Sequence, residues 1–382
     1  MKKLLILHNE YQIPGGEDIA VNNEIEFLEN HYEIKKIIFS NKIDNYMSQS
    51  INFIRNGNTE STKILNQELN SFKPDGVYIH NTWFKASLSV FKLLQDKNIK
   101  PLLKLHNYRY DCTKSHYMSV HLEKGNPCRA CGLEAKNNKK FNKYYENSYS
   151  KSLFINKYGK EYFKILKSFN LDLIVLTNFH KKYLQEVNLI DKKISVIPNV
   201  IDIQESPKLK NETKYIIYAG RISKEKGVES LIDAFMKCNL KGVILKIVGD
   251  GPSKNYLQEK YNNNKVEFIK LLPNKEVLKL INNSLAVVTA TKLYEGQPTL
   301  LCEASAMGVP SIFPQTGGIL EFFPNNYELS FKQFDYEDLE SKLNLLSDLQ
   351  KIESIGLKNK KFINSYLNKE DLLNKFESLT ND

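Results

Sequence analysis

The chain has 382 residues, 41% of them hydrophobic, and 54 Lys+Arg against 44 Asp+Glu for a formal net charge of +10. One hydrophobic core usually stops growing before this length, so two domains are expected, and the composition is that of a globular protein rather than a disordered or fibrous one. The first apolar segment, Leu4-Leu5-Ile6-Leu7, is too short for a signal-peptide core, and no apolar run reaches about 18 residues, which predicts a cytoplasmic protein without a membrane span.

In chain order, short apolar runs alternate with helical patterns, as in a parallel sheet covered on both faces. Residues 4–8 read as the first strand, followed by Pro14-Gly15-Gly16-Glu17 and a helix over 18–30. Further strands are expected at 33–39, 76–80, 101–106, 173–176 and 194–197, with Thr177 placed to cap a helix. Gly15-Gly16 lets backbone approach a phosphate or sugar with no Cβ between, although Pro-Gly-Gly is also an ordinary turn. His8 and His106 each close a strand at its carboxyl end, where open parallel sheets hold ligands. Each is a candidate hydrogen-bond partner or acid/base, or else a structural histidine.

Between Lys136 and Lys167 stand nine Lys and only two acids, Glu146 and Glu161, interleaved with eight Tyr and Phe. That mixture suits peripheral contact with an anionic inner membrane surface, with rings at the headgroups and ammonium groups toward lipid phosphates; the alternative is a solvated helical face. Five Cys without a secretory signal argue against a disulfide framework. Cys238 and Cys302 read as small apolar fillers. Cys112, Cys128 and Cys131, with His116 and His121 between, have the donor set of a tetrahedral structural zinc site, or remain unliganded thiols.

Residues 202–213, with Pro and several charges but little apolar periodicity, read as a linker. Beyond it strands are expected at 214–218, 243–248, 266–269, 285–289 and 310–313, and a helix at 227–235. The tail from about 350 to 380 reads as helical with a break near Asn368, its last segment crossing back to brace the first domain. The expected domains are 1–203, 204–365 and a C-terminal helix at 366–382.

Chemistry concentrates in Tyr294-Glu295-Gly296-Gln297-Pro298-Thr299-Leu300-Leu301-Cys302-Glu303-Ala304. Pro298 suits the first helical position, and Gly308 with Pro310 ends the helix. On an unbroken helix residues eight apart diverge by about 80°, so Glu295 and Glu303 would not share a face. A loop-to-helix junction removes that limit. Both acids can then face a ligand over the helix N-terminus, where the N–H groups of Thr299 and Leu300 attract phosphate. In Gly220-Arg221-Ile222-Ser223-Lys224-Glu225-Lys226-Gly227, a guanidinium and an ammonium can hold a diphosphate as charge develops on it, unless these are merely solvated loop charges.

Tyr218-Ala219-Gly220-Arg221, Glu225-Lys226-Gly227, Val248-Gly249-Asp250-Gly251-Pro252, Glu295-Gly296, Glu303-Ala304, Gly308-Val309-Pro310 and Gly317-Gly318 resemble, in order and spacing, the retaining glycosyltransferases of glycosyltransferase family 4. The first half adds Tyr11-Gln12 with Pro14-Gly15-Gly16-Glu17, Leu105-His106-Asn107 and Ile197-Pro198-Asn199. The resemblance implies an α/β GT-B fold, two Rossmann-like β/α/β domains facing each other across a deep interdomain cleft. It implies catalytic roles for His106, Glu295, Arg221 and Lys226, and donor contacts from Gly16, Leu272, Glu295, Gly296, Thr299, Leu300 and Glu303. Glu303 would hold ribose hydroxyls and Glu295 a sugar hydroxyl. No cofactor or metal is required for catalysis in this family. The implied substrates are a nucleotide-sugar donor, UDP-linked, and a glycan or lipid-linked saccharide acceptor of bacterial surface polysaccharide synthesis, with no nucleic acid. The sequence departs from the family at Asn107, where many members have Asp, and at Gln297, which replaces an aromatic. Two other readings compete: an NAD-dependent oxidoreductase, although the first strand lacks a following G-x-G-x-x-G, and a non-catalytic lipid- or RNA-binding protein with a degenerate core.

Overall fold

The computed structural model describes residues 1–11, 15–41, 57–110, 148–187, 189, 191–201 and 214–380. These form two compact units. One gathers the described residues up to Val200 together with the C-terminal helix Lys369–Thr380, and the other holds Ile201–Asn368. The linker expected at 202–213, the tripeptide 12–14 and the cysteine segment 111–147 lie outside the described residues.

The first unit is a six-stranded sheet ordered β2-β1-β3-β4-β5-β6, from β1 (Lys3–Glu10), β2 (Glu33–Ser40), β3 (Gly76–Ile79), β4 (Leu102–Leu105), β5 (Asp172–Val175) and β6 (Ile194–Val196). Every pairing is parallel, for example Leu7 opposite Ile37 on one side and Ile79 on the other. Leu5, Ile6, Leu7, Leu103, Leu173, Ile174 and Val175 are fully enclosed, which explains why these strands read as unbroken apolar runs. Thr177 caps the helix Asn178–Glu186 by accepting from His180 N–H, as its position predicts. The C-terminal helix returns to this unit, where Phe376 packs 5.0 Å from the Tyr78 ring and Tyr32 bonds Thr380.

One buried strand position is charged. Lys104 in β4 is sealed from solvent and gives two hydrogen bonds, 2.8 and 2.9 Å, to Glu24 of the helix Gly16–Leu28, which also accepts from Tyr78. A buried ammonium is tolerated only with such pairing.

The helix Tyr149–Ser168 corrects the expectation of surface aromatics. Tyr158, Tyr162 and Phe163 are buried, Tyr158 lying 4.4 Å from Trp83. Exposed Lys160, Lys164 and Lys167 share the opposite side with Tyr149 and Leu153.

The second unit is a six-stranded sheet ordered β12-β11-β10-β7-β8-β9, from β7 (Lys214–Ala219), β8 (Val243–Val248), β9 (Val266–Ile269), β10 (Ala286–Val288), β11 (Ser311–Gln315) and β12 (Ser330–Lys332). Its described pairings are also parallel. In each sheet the chain starts in the interior, builds toward one edge and then reverses. The reversal falls between β1 and β3 in the first unit and between β7 and β10 in the second. At such a reversal the loops leaving two adjacent strands diverge, and a crevice opens beyond their carboxyl ends.

Candidate active site

The loops leaving β7 and β10 carry Arg221, Lys226, Glu295 and, on the following helix Thr299–Ala306, Glu303. Adjacency of β7 and β10 brings the Lys226 and Glu295 loops together across a long stretch of sequence. Lys292 N–H donates to the Glu225 carbonyl, and Gly227 has φ +67°, where an added Cβ would lie 2.0 Å from the Ala290 carbonyl. The two loops therefore touch backbone to backbone, and only glycine fits at 227. The result is an ion pair: Lys226 Nζ lies 2.7 Å from Glu295 Oε1, which also accepts from Thr291 Oγ1 at 2.8 Å. Both partners remain about a quarter to a third exposed, at 30% and 26%. The Arg221 side chain is exposed, while its carbonyl accepts from the Tyr218 hydroxyl.

Glu303 is buried, and burial pushes its carboxyl up to about 7, against the pull of a hydrogen bond from Asn274. Pro298 differs from expectation by one position: it is the cap residue, and the helix begins at Thr299. Thr299 N–H is spent on the Gln297 carbonyl, whereas Leu300 N–H has no partner among the described residues. Of the two amides expected to meet phosphate, the one at Leu300 is thus left open. Gly308, at φ +73°, follows the helix as anticipated. Gly296 lies in the loop beside Glu295, and Leu272 packs partly buried on the core while Leu271 stands 61% exposed. A guanidinium, an ammonium and an open helix amide are each groups that attract an anion, and the two carboxylates can accept hydroxyl hydrogens.

The first unit has its own cluster at its reversal. His80 and His106 lie just beyond the ends of β3 and β4, whereas His8 sits inside β1, which runs two residues past the end expected for it, to Glu10. His8 Nε2 is 2.9 Å from Asp18 Oδ1, and His80 Nδ1 is 3.1 Å from His106 Nε2. Burial holds His80 and His106 well below the usual imidazole range, and the Lys104 charge lowers both further. Sequence reasoning singled out His8 and His106 but missed His80, although its place at the end of the third strand was the same signal. It also missed Glu17, whose Oε2 accepts from Tyr11 at 2.7 Å and from Asn107 at 3.2 Å. Burial raises the Glu17 carboxyl despite nearby Arg109, which stacks over Tyr11 and Trp83. These bonds explain Asn107: its amide donates to Glu17 and its oxygen accepts from Arg109 N–H, whereas an Asp would set two carboxylates against each other. Gly16 is the exposed first residue of its helix, and a Cβ there would meet nothing within 4 Å.

Cys112, Cys128 and Cys131, with His116 and His121, lie outside the described residues. Among the described residues no group of three or more His, Cys, Asp or Glu is placed to hold a metal ion. Cys238 and Cys302 are buried free thiols, as their fillers' role requires.

Residues 200–365 match the family model described as Glycosyl transferases group 1. That stretch contains the whole Arg221, Lys226, Glu295 and Glu303 constellation. A 126-residue stretch is 30% identical to an uncharacterized glycosyltransferase of Methanocaldococcus jannaschii, covering 32% of each chain. Another is 28% identical over 149 residues to the amylovoran biosynthesis glycosyltransferase AmsD of Erwinia amylovora, covering 37% of this chain and 42% of that protein. The chain therefore spans less than half the length of these curated relatives. Among solved structures, sucrose-phosphate synthase from Thermosynechococcus elongatus superposes with TM-score 0.74 at 15% identity, covering 99% of this chain and 98% of that one. HepE of Anabaena, in complex with UDP and glucose, superposes with TM-score 0.69 at 17% identity over 100% of both chains. At such identities the likeness concerns the fold: two Rossmann-like α/β domains of the GT-B type.

Proposed function

We propose that the chain is a retaining glycosyltransferase of family 4 that moves a sugar from a UDP-linked donor to a glycan or lipid-linked saccharide in bacterial surface polysaccharide synthesis. The observation that carries this reading is the junction of β7 and β10 inside the group 1 match, where Lys226 and Glu295 meet, with exposed Arg221 in the same loop as Lys226 and an open amide at the start of the helix that follows Glu295. The UDP and glucose held by HepE support the donor class. AmsD, and the capsular polysaccharide biosynthesis glycosyltransferase CapM of Staphylococcus aureus, 26% identical over 185 residues, support the acceptor class.

In this reading Arg221 and Lys226 stabilise the leaving diphosphate, the part a divalent cation plays in other transferases, and no metal is needed. When Lys226 turns from Glu295 to phosphate, Glu295 becomes free to accept from a sugar hydroxyl. Glu303 accepts from the ribose, Leu300 N–H meets the diphosphate, and Leu272, Gly296 and Thr299 line the donor. The leaving phosphate assists deprotonation of the acceptor hydroxyl on the same face of the sugar, and His106 orients donor or acceptor.

Peripheral contact with an anionic inner membrane surface is supported by the helix Tyr149–Ser168. Tyr149, Leu153, Lys160, Lys164 and Lys167 fall within an arc of about 60° at 100° per residue. Among the described residues no helix is long and apolar enough to cross a membrane. Salt-sensitive sedimentation with anionic vesicles, lost when the three Lys become Glu, is the expected result; equal sedimentation of that variant would refute the contact.

The decisive experiment screens nucleotide sugars for thermal stabilisation and then measures transfer from the best donor. Arg221→Ala and Glu295→Ala are each expected to lower kcat by about 10²-fold or more. Glu303→Ala is expected to raise the donor KM more than it lowers kcat. Full activity in both Arg221→Ala and Glu295→Ala would overturn the site. Binding of NAD without UDP would favour an oxidoreductase instead.

A further inference from the structure

The pair His80–His106 carries information about protons. Two imidazole nitrogens 3.1 Å apart share one hydrogen, so one ring donates and the other accepts. His80 is buried, and its Nε2 is sealed without a partner. If His106 Nε2–H donated to His80 Nδ1, the neutral His80 ring would carry its own proton on Nε2, a buried N–H with no acceptor. Unpaired buried donors are rarer than unpaired acceptors. With the proton on His80 Nδ1 instead, Nε2 is a bare lone pair, the milder defect. A doubly protonated His80 would set a buried cation near Lys104 and leave that same N–H unpaired. His106 differs from its partner: it is partly exposed, and its Nδ1 has no partner among the described residues, nor is it sealed from solvent.

We propose that His80 is a positioning residue: by donating from Nδ1 to His106 Nε2, it holds His106 as the neutral tautomer with its proton on Nδ1. His106 then offers an outward N–H to an oxygen of a bound ligand, a sugar hydroxyl on the transferase reading above, on which this part of the inference rests. It is a hydrogen-bond donor there and not a proton acceptor. The mount is stiff. Tyr78 packs 4.3 Å from the His80 ring, and its hydroxyl is tied to the buried Glu24–Lys104 pair. Just after His80, Asn81 donates to the Asn9 carbonyl at 2.8 Å and accepts from Trp83 N–H, clamping the exits of β1 and β3 together.

Ring-nitrogen NMR of the full-length protein labelled with ¹⁵N-histidine tests this directly, with His106→Asn identifying the His106 signals among seven histidines. The expected wild-type spectrum has His106 protonated on Nδ1 and bare at Nε2; a proton on His106 Nε2 would overturn the proposal. His80→Asn, whose amide can donate from nearly the Nδ1 position, should keep that tautomer, and His80→Leu should lose it. In parallel transfer kinetics, His80→Leu should lower kcat/KM about five- to tenfold, the worth of one such bond, while His80→Asn stays within about twofold. Equal losses in the two variants, with melting temperatures showing both folded, would mean that His80 only fills space and would also overturn it. Absence of transfer by the wild type counts against the transferase reading alone, since the tautomer is read from the spectrum.

Discussion

Replacing Gly317 by Ala adds one methyl group where two backbone segments already touch. Gly317 has φ +57°, and its added Cβ would lie 2.2 Å from the Glu295 carbonyl oxygen and 2.7 Å from its nitrogen. Ordinary contact begins near 3.4 Å, so the segments must part by about 1.2 Å. They are also tied: Gly318 N–H donates to the Glu295 carbonyl at 2.9 Å, and Thr316 Oγ1 donates to the Leu293 carbonyl at 3.1 Å. The strain must therefore be relieved by moving Glu295. A left-handed non-glycine residue costs about 1–2 kcal/mol, and overpacking adds about 1–3 kcal/mol. A 1 Å misplacement of a catalytic group can cost about 10²-fold in rate. Gly242→Ala is the control, because Gly242 has φ +68° but open space around its Cβ, so it bears the backbone cost alone. Urea unfolding should find Gly317→Ala less stable than Gly242→Ala by at least about 1 kcal/mol. Transfer assays should find kcat/KM lowered about 10²-fold only in Gly317→Ala. Equal stability losses, or normal activity in Gly317→Ala, would refute the argument that this glycine positions Glu295.

Lys104→Met should destabilise the protein by about 3–5 kcal/mol, because it strands the buried Glu24 carboxylate, whereas the double change with Glu24→Leu should recover much of that loss; denaturant titration of the three variants checks it. Glu303 gives a pH dependence of known sign. Its folded pKa of about 7 lies above the reference 4.5, so the folded state binds the extra proton and stability falls as pH rises through that window, by about 3 kcal/mol from this group. Glu303→Gln should therefore melt at a temperature closer to wild type at pH 5 and above it at pH 8; an unchanged gap would refute the shift.

Strand positions were readable because both sheets are parallel and enclosed, so their strands appear as short apolar runs between polar loops. β1, β8 and β9 fall close to where the pattern puts them. The first helix begins at Gly16, two residues earlier than expected, and the helix after β10 begins one residue past Pro298, since φ preference alone does not separate a cap from a first helical residue. Tyr158, Tyr162 and Phe163 of the helix Tyr149–Ser168 were misread because a Tyr or Phe facing the core and one facing a membrane look alike in sequence. Only the packing of Tyr158 against Trp83 decides between them.

The site divides in the same way. Gly, Pro, Arg and Glu at their spacings were enough to mark Arg221, Lys226, Glu295 and Glu303, because the first three lie in loops that local chemistry announces and Glu303 lies in the helix that Pro298 introduces. The sequence alone also determined two parallel β/α units, since apolar runs alternating with helical patterns have few other solutions. Tertiary structure decided which marked residues meet. Lys226 and Glu295, 69 residues apart, pair because β7 lies beside β10. His80 and His106 share a hydrogen because β3 lies beside β4. Strand order is a long-range choice made by the whole core, and no local pattern in the chain encodes it.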